Sequence, residues 1–323
     1  MSEPLLLTPV FHDKIWGGTK LHDEFKFRGA TGDHVGEAWI ISAHPNGPTT
    51  VRNGDYRGQT VAELWESHRE LFGMSEDAVF PLLTKILDAN QDLSVQVHPD
   101  DEYAKAHAGE LGKTECWYVL EAAEGAEIYY GHHAQTREEL AELIKAEKWD
   151  ELLRKVPVKA GDFFYVPAGT IHALGAGVMV LETQQSSDTT YRLYDFDRVD
   201  ATTGKLRELH IEDSINVTTV PHEDPKLSIT SEKIEAATIT TLVEAPHFSV
   251  YKWSLDGGYA QFHRNDVPYT LATVIDGQAT LSVDGMVYPL KKGDSFILPA
   301  DVEDWTIQGH IDLIASHPGI AEK

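Results

Sequence analysis

The stretch GDFFYVPAGTIHAL, residues 161–174, decides how this chain is read. Gly161-Asp162 marks a tight turn, FFYV is a short β-prone run, Pro167-Ala168-Gly169 breaks it, and His172 opens the next run. The pattern returns as GDSFILPADVEDW, residues 293–305, with the same offsets from Gly293 to Pro299. Upstream of each copy lies a strand–glycine–strand pattern, YVLEAAEGAEIYY before the first and TVIDGQATLSV before the second. A module of short strands and Gly/Pro turns, used twice, points to a sandwich or barrel in two copies.

Further turn signals (WGGTK, HPNGPTT, RNGDYRG, VDGM) punctuate the rest of the chain. Two segments break the β pattern. In residues 60–73 Thr60 precedes Glu63 at capping-box spacing, and Gly73 ends the run. In residues 136–156 Thr136 and Glu139 repeat the device, with Leu140, Leu143, Ile144, Leu152 and Leu153 mostly at helical spacing. Both predict helices inserted between strands. The polar, turn-rich stretch from about 200 to 235 predicts a seam, with a domain of residues 1–235 and a smaller one of residues 236–323.

The 323 residues suffice for a sizeable core, with 41 % hydrophobic and 24 % charged residues. A net charge of −25, from 27 basic and 52 acidic residues, argues against nucleic acid and anionic membranes. An anionic substrate therefore needs a local basic pocket. No apolar run is long enough to span a bilayer, and MSEPLLLTPVFHDK is a poor signal peptide. The lone Cys116 excludes an internal disulfide. A reducing cytoplasm is the expected location.

The stretch SVQVHPDDEY, residues 94–103, alternates apolar and polar residues. Gln96 and His98 fall on one face of a strand, and Val95 and Val97 on the other. With Glu115 and the Gly161-x5-Pro167-x-Gly169-x2-His172 run, this pattern resembles the two cupin motifs, with glutamine replacing the first histidine. The resemblance implies two cupin-like (jelly-roll) barrels, mostly β with small helical insertions. It also implies that Gln96, His98, Glu115 and His172 meet around one ion. One amide, two imidazoles and one carboxylate suit Zn²⁺ or another divalent transition metal. In the second copy Gln261-Phe262-His263 repeats the Gln-x-His letters. Aligning the turn glycines puts Val267 opposite Glu115 and Asp304 opposite His172, so this copy is expected to hold no metal.

Longer segments sharpen the resemblance. PLLTKILDANQDLSVQVHPDDEYA, GKTECWYVLEA, GTIHALGAGVMVLETQQSSDTTYRLYDFDR, IWGG and GEAWIISAHPNG are similar to the zinc-dependent type I mannose-6-phosphate isomerases, in their short bacterial branch. These segments span about residues 10–200, and the remainder fits that family's degenerate second barrel. The resemblance implies reversible aldose–ketose isomerisation of a hexose phosphate through a cis-enediol, by a monomer or weak homodimer carrying one Zn²⁺ per chain. By position, Arg192 matches the family's active-site arginine, Lys85 a pocket lysine, and Glu182 a glutamate ten residues before that arginine. Two positions depart. Asp101 stands where longer members often have lysine, and Arg198 matches a further family lysine, so the base and the phosphate grip stay open. Two rivals are another metal-dependent cupin enzyme, such as an Fe²⁺ oxygenase, and a non-catalytic sugar-binding cupin. Against the first stand Gln96 in place of histidine and the nearby Arg/Lys set, which suits an anion, and the second leaves Arg192, Lys85 and Glu182 with no joint purpose.

Overall fold

The turns at Gly161 and Gly293 close in the same way. In the computed structural model, which describes residues 3–319 apart from 202 and 265, Gly161 N donates to Val119 O at 2.8 Å and Gly293 N to Val274 O at 2.9 Å. Asp162 and Asp294 each accept from the N–H three residues earlier, at 2.9 Å in both. The two glycines have φ of 89° and 90°, a region that a Cβ disfavours. The repeat is thus physical as well as textual.

The architecture is mostly β and cupin-type. In the first unit a six-stranded antiparallel sheet runs in the order Phe163–Val166, Glu115–Ala122, Val178–Gln185, Leu82–Ala89, Val35–Ile41, Val10–Gly18. A five-stranded sheet runs Tyr191–Tyr194, Val95–Val97, His172–Leu174, Glu127–His132, Leu153–Pro157. In the second unit a nine-stranded sheet is built on three long strands, Phe248–His263, Thr270–Val283 and Asp304–Pro318. Each carries a register shift, the local bend by which a sheet turns a corner.

The N-terminal Leu5–Thr8 pairs with Ser295–Leu298, so the start of the chain completes the sheet of the second unit. Thr230–Ile234 forms that sheet's edge. Sheet membership therefore crosses residues 235 and 236, and a boundary there is a proposal about contiguous sequence. A shared apolar core joins the units. Leu82 and Ile86 from the first and Phe248, Leu271 and Ile314 from the second belong to one buried cluster. Trp65, Phe72, Phe80 and Tyr269 interlock within it, with ring centroids 5.1–5.7 Å apart.

Both predicted helices form, with shorter bounds. Thr60 and Glu63 make the reciprocal capping box, the helix is Val61–Ser67, and a 3₁₀ turn Arg69–Phe72 ends on Gly73 at φ 67°. Thr136 caps Arg137–Lys145, then Glu147 at φ 54° interrupts the run before Trp149–Leu152. Residues 153–156, expected as helix, belong to the strand Leu153–Pro157, because pairing with Glu127–His132 overrides local propensity.

The register of the second unit corrects the alignment expected from its turn glycines. Val166 pairs with Glu115, and the equivalent Leu298 pairs with Thr270, not Val267. His172 pairs with Gln96, and the buried pair at that place is Trp305 with Phe262. Gln261 and His263 are exposed, on the opposite face of their strand. The turns 167–171 and 299–303 are equally long, but the buried position falls one residue later in the second unit, and a shift of one residue turns a strand's side chains to its other face. Arg264, two residues past Phe262, stands where His98 stands two past Gln96.

Candidate active site

Two rows of cross-strand neighbours face one another across the first unit. On the five-stranded sheet Gln96 is flanked by His172 on one side and Arg192 on the other. On the six-stranded sheet Glu182 is flanked by Lys85 and Trp117. Direct cross-strand neighbours have Cβ atoms about 4.5–5.5 Å apart. Side chains of both rows line one cavity of about 270 Å³.

Next to Gln96 and Lys113 of the cavity lining, His98, Glu115 and His172 converge, with one ligand atom from each within 4.8 Å of the others. His172 Nε2 is 3.2 Å from Glu115 Oε1, and His98 Nε2 is 3.4 Å from Glu115 Oε2. None is more than 1 % exposed. Local structure aims each one. Asp100 caps the helix Asp101–His107, which ends the strand just after His98. Gly169 N donates to His98 O, and Thr170 N to Pro167 O, which sets the turn leading into His172.

Each imidazole uses Nδ1 on a backbone carbonyl, His98 on Thr189 O at 3.1 Å and His172 on Thr170 O at 2.8 Å. That contact assigns the proton to Nδ1 and leaves the Nε2 lone pair facing the cluster. Both Glu115 oxygens and His172 Nε2 are buried without a hydrogen-bond partner. Such groups are costly unless something else satisfies them. The donor set, two imidazoles with a carboxylate, fits a divalent cation. Burial, and then the Lys113 ammonium, push His98 down to about 3, so its ring is neutral and ligand-ready. Burial alone would raise Glu115, but the Lys113 ammonium holds it well below the usual carboxylate range.

Lys113 is a site residue that the motif pattern alone does not single out. Its Nζ lies 3.2 Å from Glu115 Oε2 and 3.0 Å from His98 Nε2, and the side chain is buried. The signal was present. Lys113 stands two residues before Glu115, hence on the same face as the strand begins.

Lys85 is 3 % exposed, 3.8 Å from both Glu37 and Glu182, and lies over the Trp39 ring. Glu182 accepts from Trp117 Nε1 at 2.9 Å. Burial, and next the Glu115 charge, raise its pKa. Glu37 accepts from Trp39 Nε1 at 2.7 Å and pairs with Lys14 at 3.2 Å. Burial would raise Glu37, but Lys85 and Lys14 hold it well below the usual carboxylate range.

Arg192 is aimed by Glu208 O at 2.8 Å and Ser94 Oγ at 3.3 Å. It pairs with neither Asp195 nor Asp197. Instead Asp195 binds Arg198 and, through two bonds, Arg207. Arg207 lines the cavity and Arg198 does not. The position matched by family spacing is thus tied down, and an arginine beyond the hairpin Val199–Asp200 and Lys205–Leu206 reaches the cavity instead. Asp101 accepts from Gly112 N and Gln185 Nε2, bracing a loop outside the cavity.

The fold and this centre define a cupin-type enzyme with a buried His–Glu–His cluster able to hold a metal. Residues 5–119 match the family model of the phosphomannose isomerase type I catalytic domain, and residues 238–318 that of the mannose-6-phosphate isomerase cupin domain. The chain is 54 % identical to the mannose-6-phosphate isomerase of Streptococcus mutans, over 98 % of this chain and 99 % of the relative. It is 53 % identical to one from Bacillus subtilis, with the same coverage. A crystal structure of a Bacillus subtilis mannose 6-phosphate isomerase superposes with a TM-score of 0.94 at 51 % identity, covering 98 % of this chain and all of that one. The chain belongs to the type I mannose-6-phosphate isomerase family, and it is an enzyme of the isomerase class. The oxygenase and non-catalytic readings fall away.

Proposed function

We propose that this cavity interconverts mannose 6-phosphate and fructose 6-phosphate by moving a proton between C1 and C2 through a cis-enediol. The observation that carries the reading is a buried His–Glu–His cluster beside a cavity lined by Arg192, Arg207, Lys85 and Lys113, with Lys113 in contact with Glu115 and His98, in a chain of net charge −25. A strongly acidic protein that gathers cations at one cavity is furnishing it for an anion.

His98, Glu115 and His172 would hold Zn²⁺, with Gln96 as a weaker fourth ligand. When bound, the ion supplies Lewis-acid polarisation of the sugar's carbonyl and enediol oxygens. Glu182 takes the part of proton shuttle. It faces the row Arg192–Gln96–His172, and its raised pKa brings it toward the operating pH, as a general base requires. Glu115 and Glu182 are two buried carboxylates driven in opposite directions, the pattern by which one site separates an ionised ligand from a proton carrier. Lys85 lies 3.8 Å from Glu182. Lys113 stabilises charge that develops on the reacting oxygens. Arg192, next to Gln96, offers its planar fork to the same oxygens, and Arg207 at the rim grips phosphate.

The enzyme is placed in the cytoplasm, acting on a soluble hexose phosphate as a monomer or weak homodimer. The single, buried Cys116 supports this placement. Among the described residues no helix is long and apolar enough to cross a membrane.

The test is incubation of the protein with mannose 6-phosphate and detection of fructose 6-phosphate. A strong chelator should stop turnover and added Zn²⁺ should restore it. No product from fully metal-loaded protein would sink the reading.

A further inference from the structure

A second cavity lies at the junction of the two units, away from the reaction centre. It has a volume of about 460 Å³, within the usual range for small-molecule sites. Its floor is aromatic. Phe25 is buried, Phe27 stacks on it with centroids 5.5 Å apart, and Phe11 meets Phe27 at 5.5 Å. Two glycines permit this arrangement. A Cβ on Gly29 would lie 2.6 Å from the Phe11 ring, and one on Gly293 3.0 Å from Phe27, at a φ of 90°. The rings are therefore seated by backbone that has given up its own side chains.

The rim is basic, carrying Lys26, Arg28, Arg52, Lys291 and Lys292 against the single carboxylate of Asp294. Asp294 is committed to Arg52 at 2.7 Å. Lys292 lies 4.8 Å over the Phe25 ring, and Lys26 donates to Asp23 O. Among the described residues the side chains of Arg28 and Lys291 have no ion pair or hydrogen bond, and both are exposed. In a chain where acids outnumber bases by 52 to 27, five cations around one aromatic cavity with one acid among them is a local reversal of sign.

We infer that this cavity binds a small organic anion with a flat apolar body, its ring on Phe11 and Phe27 and its charge toward Arg28 and Lys291. Charge complementarity selects the anion, since an apolar neutral molecule would leave the basic rim unused. The aromatic floor selects the flat body, since a bare inorganic anion would leave the rings unused. The strand Val10–Gly18 links the two sites, with Phe11 here and Lys14 and Trp16 at the active cavity.

The experiment titrates the intact, metal-loaded enzyme with 2-naphthoate at low salt, beside its neutral counterpart 2-naphthalenemethanol and its cationic counterpart 2-naphthylmethylamine. The expected result is one saturable site per chain, with naphthoate bound at least ~10-fold more tightly than either counterpart, and weakened by added salt as exposed charges are screened. The double variant R28E/K291E should lose at least ~10-fold in naphthoate affinity while mannose 6-phosphate turnover is unchanged. If that variant folds poorly, Arg28→Gln alone should lose several-fold. Equal binding of the three probes, or affinity indifferent to these substitutions, overturns the proposal. So does loss of naphthoate binding in Arg192→Ala, which would place the probe in the active cavity. Displacement by inorganic phosphate at matching concentration also overturns it, since the site would then read charge alone.

Discussion

The two units share a turn and differ in what they turn inward. The Gly161 and Gly293 turns have the same hydrogen bonds, yet the first unit points Gln96, His98, Glu115, His172 and Glu182 into its interior. At the matching register positions the second unit has Phe262, Arg264, Thr270, Trp305 and Ala315. Arg264 closes the place of the ion. It donates to Thr270 Oγ1 and to the carbonyls of Leu298, Pro299 and Val302, and lies over the Trp305 ring at 5.7 Å. Burial pushes its pKa down to about 10, so it remains charged at neutral pH. Trp253, Phe262 and Trp305 stack behind it. A β scaffold of this kind tolerates a buried polar cluster where an external cation balances it, and otherwise fills the space with its own cation and aromatic rings.

The sharpest way to break that contrast is to remove an imidazole. His98→Ala or His172→Ala should abolish stoichiometric metal binding and lower kcat/KM by ~10³ or more, because a metal supplies several kcal/mol of charge stabilisation. Gln96→Ala should cost only ~10-fold, since a neutral amide is the weakest of the four donors. Metal analysis of the second unit's variants gives the contrast. Arg264→Ala or Thr270→Val should leave one metal per chain. Full occupancy in both histidine variants would dissolve the distinction between the units.

Next in size is the aromatic stack. Trp305→Ala should destabilise the protein by ~3–5 kcal/mol, the cost of a large core truncation. It also uncovers Arg264. The urea midpoint should fall, while the folded protein at 25 °C keeps its metal and its turnover. Loss of metal together with stability would show that the shared core around Phe72, Phe80 and Tyr269 couples the units more tightly than their separate interiors suggest.

Smaller, and confined to the first unit, are the cations that do not touch stability much. Arg192→Ala and Lys113→Met should each lower kcat by ~10²–10³ with metal retained, as loss of a transition-state donor does. Arg192→Lys should recover only part, because the fork is lost. If Arg192→Ala instead raises KM with kcat nearly unchanged, the residue grips ground-state phosphate, and the enediolate role passes to Lys113.

The sequence made the centre of the first unit legible because its signals are local. Period-two spacing put Gln96 and His98 on one face, and a Gly/Pro turn of fixed length aimed His172. Lys113 is equally legible, two residues before Glu115. What could not be read depends on distant pairing. Leu5–Thr8 joins the second unit's sheet through Ser295–Leu298, and nothing in LLLT specifies that partner. Arg207 lines the cavity with its guanidinium on Asp195, while Arg198, which the resemblance matches to a family lysine, pairs with the same carboxylate and does not line it. In the second unit the letters misled, because Gln261-x-His263 repeats Gln96-x-His98 on the opposite face of the strand.

The smallest expected effect tests that last point directly. His263 Nδ1 sits 2.9 Å from Asp304 Oδ1, with the side chains 62 % and 60 % exposed. An ion pair this open to water contributes ~0–1 kcal/mol, since solvent screens the charges and ordering two free side chains offsets the attraction. His263→Ala should therefore shift stability by less than ~0.5 kcal/mol, leave metal stoichiometry at one per chain, and leave kcat within twofold. The same substitution at His98 removes a side chain that is 1 % exposed and faces two charged neighbours. Identical residues in identical local letters thus differ in expected effect by three orders of magnitude, and only the face of the strand separates them. Loss of metal on His263→Ala would mean that Gln261 and His263 turn inward in solution and that the register linking Phe262 to Trp305 is wrong.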